Sequence, residues 1–174
     1  VEFSTLDAIA TMSRAVEAAG FAAIYVTDHP APSSRWLAGG GPPTLDPFVA
    51  LTAAASATTK LQVQTHIVVL PYRNPFVTAK MAASLDHLSG GRLILGVGTG
   101  YSKPEYAAVG VEFEDRGEIM TEALKVMQMA WSGEVVTYES PRFFARDTVI
   151  RPLPASKDGI RVWAGGNAKP AIRR

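Results

Sequence analysis

With 174 residues, 47% of them hydrophobic, and a formal net charge of +1, the chain suits a single domain with enough apolar surface for a substantial core. The lack of cysteine excludes disulfides, thiolate metal sites and cysteine nucleophiles. No apolar stretch nears the roughly 18 residues of a membrane helix and no signal peptide opens the chain, so the expected compartment is the cytoplasm, with no membrane partner. The charge is uneven: 9 Lys/Arg face 14 Asp/Glu in residues 1–141, and 8 face 2 in residues 142–174. That basic stretch suits either an anionic ligand or plain solvated surface. No basic-aromatic run accompanies it, so nucleic acid is not an expected partner.

The first helix is expected from about Ser4, its hydroxyl as cap and Asp7 in capping-box position, to a stop at Gly20. Residues 23–27 read as a strand ending at Asp28-His29, and a flexible segment, 30–43, follows with three consecutive glycines. Asp46 as cap and Pro47 at the first helical position open an alanine-rich helix to about Thr59. Residues 61–69 alternate, with Leu61, Val63, Thr65 and Ile67 on one face and Gln62, Gln64 and His66 on the other. Asn74-Pro75 repeats the cap-and-proline device before a helix to about Leu88. A turn at residues 89–92 leads into a strand at 93–98, and a loop covers residues 99–111. The clearest helix spans about 115–131, with Ile119, Ala123, Leu124, Met127 and Trp131 along one side and Gly133 as its stop. Residues 134–154 read as an irregular β-rich excursion before a last strand at 160–164.

Strands that stop at a polar or glycine-rich tip and turn into a helix are βα units, and in barrels built from them the chemistry sits on those tips. Four tips are present: Asp28-His29, His66-Ile67, Gly98-Thr99-Gly100 and Gly165-Gly166-Asn167. The amide-bearing face of the 61–69 strand supports a barrel. Under helices it would bury unpaired polar groups at a cost of kilocalories, whereas a barrel interior near a pocket can satisfy them.

His29 beside Asp28 is the leading catalytic candidate, since an imidazole there can exchange a proton near neutral pH; the alternative is a loop-capping pair. The glycines of residues 96–100 invite a dinucleotide or methyl-donor reading. An S-adenosylmethionine-dependent methyltransferase would place this loop after its first strand, with an acid in the strand before it. Here two strands precede and Ile94 stands in that position. His87 reads as structural. Three scattered histidines and dispersed carboxylates indicate no metal.

Taken together, residues 20–29, Leu70-Pro71-Tyr72-Arg73-Asn74-Pro75, residues 85–100, Arg116-Gly117 with Glu122 and Leu124, and residues 162–167 resemble the luciferase-like monooxygenase family. The resemblance implies an α/β fold, a TIM-type (β/α)8 barrel of the bacterial-luciferase kind. Such barrels typically run to about 250 residues, so only strands 2 to 5 are expected here. Residues 1–174 would then be one domain of a partial barrel, incomplete at both ends and inactive alone.

Residues 70–75 and 89–100 look most like the deazaflavin branch. That likeness implies hydride transfer from reduced coenzyme F420 to a small organic substrate; the alternative is an FMN-dependent two-component monooxygenase. His29 would handle a proton, with Asp28 helping to hold the ring system. His66-Ile67 falls where the family carries a bulge, often with a cis peptide, that backs the cofactor's central ring. Gly98, Thr99 and Gly100 would contact the cofactor's side chain or phosphate, with Glu105 helping at the pocket rim, and Gly165, Gly166 and Asn167 would offer amides to the same phosphate. A reductase supplying reduced cofactor, and a homo-oligomer at full length, complete the expectation. A non-catalytic flavin-binding fragment is the remaining alternative.

Overall fold

The computed structural model describes residues 4–156, 158–166 and 169. Helix α1 (Leu6–Ala18) is capped by Thr5, whose Oγ1 accepts the Ala8 amide at 3.2 Å. The helix therefore starts one residue later than the Ser4 reading, which takes Asp7 out of the capping-box position. Gly20, at φ +80°, ends it by turning the chain left-handed. Strand β1 (Ala23–Val26) follows. The segment expected to be flexible contains a short helix, α2 (Ser34–Ala38), capped by Ser33. Asp46 caps α3 (Pro47–Ser56) through the amides of Phe48 and Val49, as its place before Pro47 predicts.

Strand β2 (Gln62–Val69) passes through a 3-10 turn at Leu70–Tyr72 into α4 (Pro75–Ser89), capped by Asn74. Strand β3 (Leu93–Gly98) matches its expected bounds. The 99–111 loop holds a further helix, α5 (Lys103–Ala108), and α6 (Arg116–Trp131) comes next. Strands β4 (Val136–Glu139) and β5 (Phe144–Thr148) form a separate antiparallel pair, and β6 (Arg161–Ala164) returns to the main sheet.

The main sheet is parallel throughout, in the order β1-β2-β3-β6. Its strands lie side by side in chain order, with none of the order reversal that makes a doubly wound sheet. Leu51, Val63, Val68, Leu95 and Met127, each 0% exposed, belong to the core between sheet and helices. The opposite face carries Gln62, Gln64 and His66 along β2, with Tyr25 and Trp163 exposed on the flanking strands.

The alternation of β2 breaks at a bulge between Thr65 and Val68. Val68 takes the core position expected of Ile67, and the Ile67 side chain lies against Gly96 and Gly98 on the other face. The His66–Ile67 peptide is cis. A Cβ on Gly96 would fall 2.1 Å from the Thr65 carbonyl oxygen, and one on Gly98 2.0 Å from Ile67 Cδ1. The glycines of β3 are thus what lets β2 bulge against it.

Candidate active site

The carboxyl ends of β1, β2, β3 and β6 bring the sequence-predicted tips to one end of the sheet. His29 is anchored from a distance in sequence: its Nδ1 lies 3.1 Å from Glu105 Oε2 on α5. The other oxygen, Oε1, accepts the Ala31 amide at 3.3 Å. Glu105 is 1% exposed, so it does not stand at the pocket rim as expected but is buried beside the imidazole it holds. The Trp36 ring of α2 covers His29 at a centroid distance of 4.4 Å, and Tyr101 approaches edge-on at 6.2 Å. Trp36 in turn rests on Gly41, where a Cβ would come within 2.2 Å of the indole. The glycine-rich part of the loop therefore seats an aromatic cover over the histidine.

Asp28 is 4% exposed and both its oxygens are engaged. Oδ2 accepts the Val69 amide at 2.9 Å and Arg73 Nη1 at 2.5 Å, while Oδ1 accepts Arg73 Nη2 at 2.8 Å. A carboxylate held on both oxygens positions its neighbours; it is not free to exchange protons with a reactant. Arg73 Nη2 also reaches Asp46 Oδ2 at 3.2 Å. Burial alone would push the Arg73 pKa down, but the bonds and charges of Asp28 and Asp46 outweigh it and hold it above its ordinary value. A cleft of about 230 Å³ opens among Asp28, His29, Thr44, Asp46 and Arg73. Thr44 Oγ1 is buried there without a hydrogen-bond partner among the described residues.

At the β2 tip, His66 is exposed and its ring meets that of Tyr25 at 4.9 Å. The glycine tips differ from expectation. Gly98 is buried and makes room for Ile67. Thr99 is bonded through its carbonyl, which accepts the Tyr106 hydroxyl at 2.5 Å, and burial pushes the Tyr106 pKa up. Gly100, at φ +65°, packs beside Val69. The Gly165 amide donates to the Val97 carbonyl at 2.7 Å, extending the sheet, so it is not free for a phosphate. Gly166, at φ +126°, is exposed. Asn167 lies outside the described residues.

Sequence reasoning missed Arg73, although it stands inside the Leu70–Pro75 run, and did not pair Glu105 with His29. Both pairings join residues far apart in sequence, 45 and 76 positions, and no local pattern marks them.

A family model described as luciferase-like monooxygenase matches residues 2–174. The chain is 34% identical over 157 residues to an F420-dependent glucose-6-phosphate dehydrogenase of Intrasporangium calvum, covering 86% of this chain and 46% of that protein. It is 31% identical over 137 residues to limonene 1,2-monooxygenase of Rhodococcus erythropolis, covering 79% and 34%. Among solved structures, an F420-dependent secondary alcohol dehydrogenase in complex with an F420-acetone adduct superposes with a TM-score of 0.75 at 25% identity, over 92% of this chain and 48% of that one. The chain spans 60% or less of the length of these and other curated relatives.

Proposed function

The chain belongs to the luciferase-like monooxygenase family, its parallel sheet forming part of a TIM-type barrel, and from that premise we propose that the intact protein is an F420-dependent oxidoreductase acting on a small organic substrate. In this reading residues 1–174 supply strands 2 to 5 of one barrel domain. The observation that carries it is the His29–Glu105 pair at the tip of β1, at the same end of the sheet as a β2 bulge whose Ile67 offers an apolar seat for a flat ring. Similarity to F420-dependent relatives supports the choice of cofactor.

The chemistry of the bulge fits such a ring. Ile67 packs against Gly96, Gly98 and Gly165, which carry no side chains of their own, and forms an apolar seat with the exposed His66 and Tyr25 nearby. Ile67 and His66 would hold the ring, while Gly100 and Gly166 would line the way to its polar side chain. The bound deazaflavin supplies a hydride donor or acceptor at its C5. The chain's own part is the proton. With Nδ1–H donated to the Glu105 carboxylate, His29 keeps Nε2 to give or take a proton at a substrate oxygen. The buried Glu105 carboxylate fixes the orientation of the ring, and Trp36 covers it. Asp28 serves this chemistry by position.

An FMN-dependent monooxygenase is the second reading, favoured by the similarity to limonene 1,2-monooxygenase. Fluorescence titration of the intact protein separates the two. Reduced F420 is expected to bind more tightly than reduced FMN, and tenfold tighter FMN binding, about 1.4 kcal/mol, assigns the other cofactor. In the same protein His29→Ala should lower turnover by roughly two orders of magnitude, with cofactor affinity changed much less. Unchanged single-turnover hydride transfer would reduce His29 to a loop residue.

A further inference from the structure

The main-chain ladder between β1 and β2 runs from Ala23↔Gln62 to Val26↔Thr65 and goes no further. Past that point β2 bulges at His66 and Ile67, and two neighbouring strands would ordinarily drift apart. A side chain takes over. The Asp28 carboxylate accepts the Val69 amide at 2.9 Å, on the far side of the bulge. On the near side, Thr65 Oγ1 donates to the Gly96 carbonyl at 2.7 Å. The bulge is thus held at both ends, and one of the two ends is Asp28, the residue joined to His29.

Asp28 itself is fixed by Arg73 through two bonds of 2.5 and 2.8 Å. The same guanidinium reaches Asp46 at 3.2 Å, whose other oxygen caps α3 at Phe48. The Asp28 side chain is 1% exposed, that of Arg73 15% and that of Asp46 42%. The inner pair is therefore the buried, geometrically forked one, and the outer contact is an accessory at the surface.

We propose that Arg73 is a positioning residue that, through Asp28, sets the β1 tip bearing His29 and the β2 bulge bearing His66 and Ile67 in register, so that the two halves of the site move as one. The proposal deepens the reading above, since it takes those two tips as the site, but its test needs no cofactor. His29 and His66 report on the two tips. His87, in the last turn of α4, is the internal control.

The decisive variant in the intact protein is Asp28→Asn with Arg73→Met. It removes both charges together, so no buried ion is stranded. The carboxamide oxygen that replaces the carboxylate can still accept from Val69, so what is lost is the guanidinium's grip. NMR of the imidazole signals should show the resonances of both His29 and His66 displaced from their wild-type positions, with His87 unchanged. Arg73→Lys keeps the charge and loses the fork; it should move the same two signals by less, and it gives the answer if the double variant melts. Asp46→Asn should move neither. Affinity for F420 or FMN, followed by fluorescence, should fall about tenfold in the double variant. A folded double variant, or Arg73→Lys, in which neither resonance moves, or in which only one does, overturns the coupling. So does Asp46→Asn reproducing the full effect. If the wild type binds neither cofactor, the cofactor reading fails while the two histidine signals still decide the role of Arg73.

Discussion

The two ends of the parallel sheet use charged side chains in opposite ways. Where the strands begin, three charged side chains are each bonded to main chain from several sides. Glu17 Oε1 accepts the amides of Thr59, Lys60 and Leu61 at 2.7–2.9 Å. Arg92 donates to the carbonyls of Ser89, Leu61 and Ala55 and to the Thr58 hydroxyl. Asp86, 0% exposed, takes the amides of Ala155 and Ser156 and the Ser156 hydroxyl just before β6. Where the strands finish, charges pair mainly with other side chains: Asp28 and Asp46 with Arg73, and His29 with Glu105. A charge bonded to main chain staples segments together. A charge bonded to another side chain ties one strand tip to the next and can pass a change at one to the other. Staples gather at one end and the candidate chemistry at the other, the division expected of barrels built from βα units.

The largest effect expected from this contrast is at a staple. Arg92→Met removes four hydrogen bonds from a guanidinium and leaves buried acceptors unmet, which should cost about 3–5 kcal/mol at roughly 1 kcal/mol per net bond. For a domain of this size that lowers Tm by about 6–20 °C, read by calorimetry on the intact protein. A loss below about 1 kcal/mol would make Arg92 an ordinary surface cation and dissolve the contrast.

Next in size is Glu105→Gln at the other end. The amide keeps an oxygen for the Ala31 N–H but turns an NH2 group toward His29 Nδ1, so the carboxylate oxygen that holds the imidazole is lost. Turnover should fall about tenfold or more, as for a weakened general acid or base, with Tm held within a few degrees. An equal loss of stability and activity would mean that Glu105 is one more staple.

The sequence patterns made most of the fold legible wherever the signal is local, whereas the staples, which join residues some 31 to 70 positions apart, were not read from it. Asp46-Pro47 and Asn74-Pro75 open helices as their cap-and-proline order predicts, and the apolar run of β3 matches its expected bounds. Much of the family resemblance, from Asp86 through Ser89 to Arg92, lies at the stapled end. It identified the fold and also placed the bulge with its cis peptide at His66-Ile67, as found, but not the side chains that hold Asp28 and His29. Helices α2 and α5 were invisible, since five or six residues are too few to display a helical period. The bulge inverted the expected places of Ile67 and Val68, because strict alternation holds only while a strand stays in register. His29 could be singled out by its position at a strand tip. Its partner Glu105 and the Arg73 grip on Asp28 could not, since only the folded chain brings them together. The glycines of β3 were read as cradling phosphate; those at 96 and 98 instead admit the neighbouring strand's bulge.

A smaller, pH-dependent effect is expected at Glu17. The Lys60 and Leu61 amides, with Thr59 and the charge of Arg92 behind them, outweigh the opposing effect of burial and hold its pKa below the ordinary 4.5. A carboxylate whose folded-state value is depressed adds stability that is fully present above the unfolded value and is lost as pH falls through the folded one. The Tm gap between wild type and Glu17→Gln should therefore be constant at neutral pH, narrow below pH 4.5, and close once the carboxylate is protonated. A gap that does not respond to pH would show that the three amides are held equally well without the charge.

The smallest effect has the opposite sign and belongs to the cleft beside His29. Among the described residues no buried side-chain polar atom at the stapled end lacks a hydrogen-bond partner, whereas Thr44 Oγ1 is buried without one. A buried hydroxyl left unmatched costs on the order of 1–3 kcal/mol, and replacing it with an apolar group of the same shape removes that cost. Thr44→Val preserves the branched outline and takes away only the oxygen. It should raise Tm by about 2–3 °C, the equivalent of roughly 1 kcal/mol in a domain of this size, while Thr44→Ser, which keeps the hydroxyl, should not. The gain would place unmatched polar capacity at the end that handles substrate, consistent with a site that gives up some stability for chemistry. A fall in Tm for the valine variant would mean that the hydroxyl is satisfied in solution, and the asymmetry between the two ends would then rest on the ion pairs alone.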